Sequence, residues 1–245
     1  MEFFLDSLKA AARLLFGGDA YVWQVLGLSL RVSTTAVAIA VLVGLPAGLL
    51  IGLTRFAGRR LVVALINTGF ALPPVVVGLF VYLMLSRAGP AGGLRLLFTP
   101  AAMVLAQALL ASPYVAGITL AAVQAVAPEA RWQARALGAT RGQAVWAHLR
   151  EARLGVMAAI IAGFGAVISE VGAVLLVGGN IRGETRVITT AIVLETRRGN
   201  FAVAMALGLV LLLVAFVVNL LLTHMQQGPS VRAGVDSART SHPWS

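Results

Sequence analysis

The chain has 245 residues, of which 59% are hydrophobic and 11% charged, with a formal net charge of +10 and no cysteine. Soluble globular chains run nearer ~45–50% apolar and ~25% charged, so a chain of this size in water could not hide its apolar surface, which excludes a soluble enzyme and a disordered tail protein. The basic residues are scattered between apolar runs, which excludes a nucleic-acid binder, and the missing cysteines exclude disulfides, thiolate metal sites and a cysteine nucleophile. Lipid is the solvent that remains for most of the chain. Lysine occurs once, at Lys9. A phosphate-cradling Walker loop needs a lysine in Gly-x-x-x-x-Gly-Lys-Ser/Thr, so any ATP that drives this protein is hydrolysed by another chain.

Residues 1–18 read as an interfacial helix. Glu2, Asp6, Lys9 and Arg13 share one face, and Phe4, Leu5, Leu8, Ala12 and Leu15 the other. Acids precede the bases and no cleavable apolar core follows, so a secretory signal is not expected. A bilayer core of ~30 Å needs roughly 20 apolar residues in a helix. Five stretches qualify as spans: Val32–Thr54, Leu61–Ser86, Leu96–Pro128, Leu154–Ile181 and Phe201–Thr223. Only the fourth carries an acid, Glu170. Residues 22–225 therefore read as one membrane domain, and residues 226–245, poor in apolar side chains, as a disordered cytoplasmic tail.

Basic residues in the connections set the orientation. One side collects Arg55, Arg59, Arg60, Arg131, Arg135, Arg141, Arg150, Arg153, Arg232 and Arg239. The other collects Lys9, Arg13, Arg87, Arg95, Arg182, Arg186, Arg197 and Arg198. The last four flank Val187–Leu194, an apolar stretch too short to span and read as re-entering the protein interior. With those four set aside, the expected orientation has the amino terminus outside and the carboxyl terminus in the cytoplasm.

Residues 128–153 form the one long polar connection between spans. It divides into a helix over about Glu129–Leu137, a stop at Gly138, and a second helix capped by Thr140, three residues before Gln143 in capping-box spacing. Helix–Gly–helix makes a rigid knuckle suited to receive a push from a soluble partner. An amphipathic loop on lipid headgroups is the plainer alternative. Leu137-Gly138-Ala139-Thr140-Arg141, with Ala134 four residues before the glycine, resembles the Glu-Ala-Ala-x-x-x-Gly motif of ABC importer permeases, although Trp132 and Gln133 replace its first two residues.

A closer resemblance covers nearly the whole chain. Ile66 through Gly78, with its Leu72-Pro73-Pro74, is similar to the tungstate-uptake permeases, as are Ile168-Ser169-Glu170-Val171-Gly172-Ala173-Val174, Gly178-Gly179-Asn180-Ile181-Arg182-Gly183 and Thr189-Thr190-Ala191-Ile192. Molybdate and sulfate permeases share the scaffold less closely. The resemblance implies an all-α integral membrane fold, the five-helix core of a type I ABC importer permease. It implies an inner-membrane homodimer that works with cytoplasmic ATPase subunits and an extracytoplasmic binding protein. No cofactor is expected on this chain, ATP and Mg being held by the ATPase. The ATPase-coupling residues would be Trp132, Gln133, Ala134, Leu137, Gly138, Ala139, Thr140 and Arg141.

A pathway for a tetrahedral dianion needs hydroxyl, amide and backbone donors without a tight cationic cage. Ser33, Thr34, Thr35, Gln107, Ser112 and Ser169 are candidates, each with the plainer alternative of a hydrogen bond to a helix carbonyl. Arg182 and Arg186 could draw the anion to the mouth or pair with Glu184 and Glu195. Glu170 would hold a helix contact or gate, since an anion pathway repels it. Pro46, Pro73-Pro74, Pro100 and Pro113 are hinge candidates. The rival readings are a permease for molybdate or another oxyanion, a secondary transporter with buried carboxylates, an intramembrane hydrolase and a membrane scaffold. The hydrolase has no evident base, because His148, His224 and His242 fall at span ends or outside them.

Overall fold

The computed structural model describes residues 20–127 and 136–226, together with 5, 6, 8–10, 12, 13, 17 and 133. Among them all regular structure is helical. α1 (Ala20–Leu53) has 34 residues, about 51 Å at 1.5 Å per residue, well beyond a hydrocarbon core. It starts before Val32, where the span was expected, and runs straight through Arg31, which belongs to neither side of the charge tally. Arg31 lies on the exposed face of the helix, where a long side chain can lie along the helix and carry its charge toward water.

The second expected span is two helices, α2 (Arg59–Phe70) and α3 (Pro74–Leu85), bent by 103°. Leu72 and Pro73 each precede a proline and are steered away from helical backbone, and Pro74 can only open a helix. Pro73 accordingly caps α3 in extended geometry. Beyond a short 3-10 turn, Gly92–Leu94, Pro100 opens α4 (Pro100–Ala125), which continues through Pro113. α5 (Arg141–Glu151) and α6 (Arg153–Ile168) meet at 65°. α7 (Gly172–Gly178), α8 (Ile188–Arg197) and α9 (Phe201–Gln226) complete the order. The fourth expected span is thus split after Ile168 into α6 and α7. Three helices, α1, α4 and α9, are long and apolar enough to cross a bilayer alone, or up to 5 spans if each bent pair counts as one.

α4 is the central helix, packed against α1 and α6 and also against α2, α3 and α7. Gly44, Gly48 and Gly52, four residues apart on α1, let it lie directly on α4. A Cβ at Gly48 would strike the Ala116 carbonyl, and one at Gly52 would come within 2.8 Å of Val123. Small residues at this spacing are how helices approach in lipid, where no hydrophobic effect drives them together. One core joins Val32 of α1, Val81 of α3, Met103 and Ala106 of α4, and Val174 and Val177 of α7. A second joins Val25, Ile188 and Leu207, binding α8 between α1 and α9. The short apolar stretch after Val187 therefore enters the protein interior, as its length predicts. The interfacial helix expected over 1–18 falls mostly outside the described residues, though positions 5, 6, 8–10, 12 and 13 are helical. The expected tail lies outside them beyond Gln226.

Candidate translocation gate and coupling knuckle

Two breaks in the helices face each other. α3 begins after Ala71-Leu72-Pro73 and α7 begins after Ser169-Glu170-Val171, and the two half-helices pack together. At the junction a Cβ on Gly78 would lie 2.6 Å from Cα of Ala173, and one on Gly172 would lie 2.7 Å from a Val75 methyl. No larger residue fits either position. Glu170 closes the second break. Its buried carboxylate accepts from the Ala173 N–H at 2.9 Å, while its carbonyl accepts from Thr189 Oγ1 at 2.9 Å. A carboxylate over the first turn of a helix takes an orphan N–H and meets the positive end of the dipole. This explains an acid inside a span without any contact to an anion.

The other sequence-predicted pathway residues do not converge. Ser33 is buried, whereas Thr34 and Thr35 are exposed and bonded to carbonyls of their own helix, Leu30 at 2.6 Å and Arg31 at 2.7 Å. Ser112 and Ser169 likewise donate to Ala108 and Gly165 one turn back. Gln107 differs. Buried on α4, it donates through Nε2 to the Val167 carbonyl at 3.0 Å, at the last turn of α6, and so joins α4 to the second break. Of the proline hinge candidates, only Pro73-Pro74 sits at a break. Pro46 and Pro113 lie inside continuous helices, and Pro100 opens one.

At the far ends of α3 and α4, Arg182 and Arg186 pair with neither Glu184 nor Glu195. Arg182 stands 5.2 Å from the centre of the Tyr21 ring, and Arg186 bonds Asn180 Oδ1 at 3.1 Å and Tyr21 Oη at 3.4 Å. Glu195 is taken by Arg198 at 3.3 Å and Asn200 at 2.8 Å. At this end Arg87 and Arg95 line a cavity of about 820 Å³ with Leu85, Gly92, Gly93, Leu97 and Phe98. Among the described residues neither has an ion pair. Sequence reading used these two only to count charge, because nothing local marks that the connection folds into a concave wall. Phe98 ties this wall to the gate: its N–H donates to the Val177 carbonyl of α7 at 2.9 Å, and its ring covers Gly179.

At the opposite end, α5 has the predicted cap. Gln143 N–H donates to Thr140 Oγ1 at 3.3 Å, and Thr140 N–H to Gln143 Oε1 at 2.8 Å. Gly138 has φ 84, a left-handed turn that side chains resist. Gln133 and Leu137 are exposed, Leu137 at 88%, and Ala139 is half-buried. Trp132, Ala134 and the side chain of Arg141 lie outside the described residues. Sequence reading missed His148, which is 1% exposed and bonded to α4. Its apolar neighbours four residues away, Ala144 and Ala152, were the available signal.

The family model for the binding-protein-dependent transport system inner membrane component matches residues 44–230. A probable anion ABC transporter permease of Haloferax volcanii is 46% identical over 206 residues, covering 82% of this chain and 89% of that one. The tungstate uptake system permease of Peptoclostridium acidaminophilum is 40% identical over 227 residues, covering 93% and 100%. Among solved structures, a bacterial ABC transporter involved in alginate import superposes with a TM-score of 0.73 at 20% identity, covering 90% of this chain and 84% of that one, which shows a shared fold. With its all-helical core and paired helix breaks, this chain belongs to the inner-membrane components of binding-protein-dependent ABC transport systems and is a transport subunit.

Proposed function

We propose that the chain is the permease of an ATP-driven tungstate importer, working as a homodimer with two cytoplasmic ATPase subunits and an extracytoplasmic binding protein. The observation that carries the transport reading is the meeting of the two helix breaks. Interrupted helices at membrane depth are tolerated only against protein or a water-filled cavity. Ala71 through Val76 are exposed in the single chain, and Leu79, Phe80 and Leu83 continue that face along α3. A second copy placed against it would bring two such breaks together around one passage. The tungstate assignment rests on the relative matched over its entire length. A tetrahedral dianion is drawn by arginines at a mouth and passes best where no tight cationic cage holds it, which suits Arg87 and Arg95 around the cavity at one end of α3.

On this reading the knuckle at Gly138–Glu151 faces the cytoplasm and receives the ATPase, and Arg87 and Arg95 face the opposite side. ATP closure of the ATPases draws the knuckles together and reorients the half-helices α3 and α7. The test is uptake into proteoliposomes holding the chain, its ATPase and its binding protein. ATP-dependent accumulation of tungstate, competed poorly by molybdate and sulfate, is the expected result. Accumulation without the ATPase would overturn ATP coupling, and stronger accumulation of molybdate would reassign the cargo.

A further inference from the structure

We infer that His148 is the positioning residue that fastens the coupling knuckle to the central helix. The inference rests on the transport reading above and names the joint through which it works. α5 turns a narrow row inward: Ala144, His148 and Ala152 are 5%, 1% and 4% exposed, one turn apart. The alanine side chains offer no hydrogen bond. His148 reaches across, its Nε2 2.8 Å from the Val123 carbonyl. A carbonyl only accepts, so Nε2 carries the proton and donates.

Val123 lies in the last turn of α4, which ends at Ala125. The final carbonyls of a helix have no partner within it. The imidazole therefore caps α4 from a neighbouring element. His148 Nδ1 is buried and has no partner among the described residues, so the ring is held through a single directed bond. Beside the joint, Gly155 of α6 sits directly on Ala122 of α4, where any Cβ would collide. An open cleft of about 380 Å³, lined by Ala125, Val126, Glu151 and Ala152 among others, lies beside the joint.

The far side of the linkage is Gln107. It lies sixteen residues up α4, about 24 Å along a helix, and caps the end of α6 at Val167 just before the second break. α4 is thus tied to the knuckle in its last turn and to the second break from its first third, both times by one side chain on a carbonyl at a helix end. A displacement of α5 reaches α4 through His148 and leaves it through Gln107. Two ties alone make a path and not a coupling, so the measurement must read coupling.

The complete complex, with ATPase and binding protein in liposomes, gives tungstate imported per ATP hydrolysed. His148→Leu keeps the volume and loses the donor. It should co-purify with the ATPase, hydrolyse ATP, and import about tenfold less per ATP. His148→Gln presents an amide N–H at similar reach and should stay within about twofold of wild type. His148→Asn, whose amide is too short to reach Val123, should resemble the leucine variant, and it decides the matter if His148→Leu fails to assemble. Equal import per ATP in the glutamine and asparagine variants overturns the inference, as does a parallel loss of assembly and hydrolysis with that ratio unchanged. A wild-type complex that imports nothing with ATP would remove the transport reading and this inference with it. Wild-type import with equal ratios removes only the role of His148.

Discussion

Glu170 shows how an acid inside an apolar stretch can be held by groups of the protein itself. Its carboxylate accepts from Ala173 N–H, a bond that a neutral amide oxygen can also accept. Glu170→Gln should therefore retain most uptake, while Glu170→Ala should lower stability by about 1 kcal/mol, the usual worth of a helix cap. Thermal unfolding in detergent alongside uptake checks both. Strong loss of uptake with the amide would show that the charge itself is needed. At this scale the sequence spoke unevenly. Thr140 and Gln143 were legible because a capping box is a local pattern of fixed spacing. His148 was not, because its partner Val123 is 25 residues away and a lone histidine in a polar stretch looks solvent-exposed. Arg87 and Arg95 were hidden for the same reason: a concave wall belongs to tertiary structure.

Helices were most legible where composition was uniform. α4 lies within its expected span and α9 overruns its own by three residues, to Gln226, because long uncharged runs leave no alternative in lipid. The break before α3 is written in Pro73-Pro74. The break after α6 is written nowhere so plainly, since Ser169-Glu170-Val171 contains no proline and the interruption is sustained by tertiary bonds from Gln107 and Thr189. Arg31 misled in the opposite direction, ending an apolar run without ending a helix. The contact between α1 and α4 gives a test at this scale. Gly48→Leu would drive a side chain into the Ala116 carbonyl, and overpacking of a tight contact costs about 1–3 kcal/mol. The variant should unfold at lower temperature and lose monodispersity in size-exclusion chromatography. Gly208, which has open space at its Cβ position, should accept alanine with neither change.

For the whole molecule, the exposed face of α3 and the arginines near its C-terminal end make separate predictions. Val76 is 54% exposed, and the chain has no cysteine, so Val76→Cys introduces the only thiol. If two copies meet on this face, oxidation should give a covalent dimer, visible on a non-reducing gel, at far higher yield than Leu212→Cys on α9. Equal yields would place the contact elsewhere. Arg87→Glu combined with Arg95→Glu should slow uptake severalfold at low ionic strength. The difference should shrink as salt is raised and the Debye length falls to about 8 Å at physiological strength. An effect independent of salt would mean that these side chains hold structure and do not attract the anion.

The row of glycines where α1 lies on α4 has one more consequence. Two helices this close over several turns, with Gly48 on the Ala116 carbonyl and Gly52 on the Val123 side chain, leave little room to slide and behave as a stator. In the proposed transport cycle, movement falls to the short, interrupted pieces set against that frame. Lesions along the frame should abolish assembly outright, whereas lesions in the short pieces should leave an assembled machine that no longer turns over.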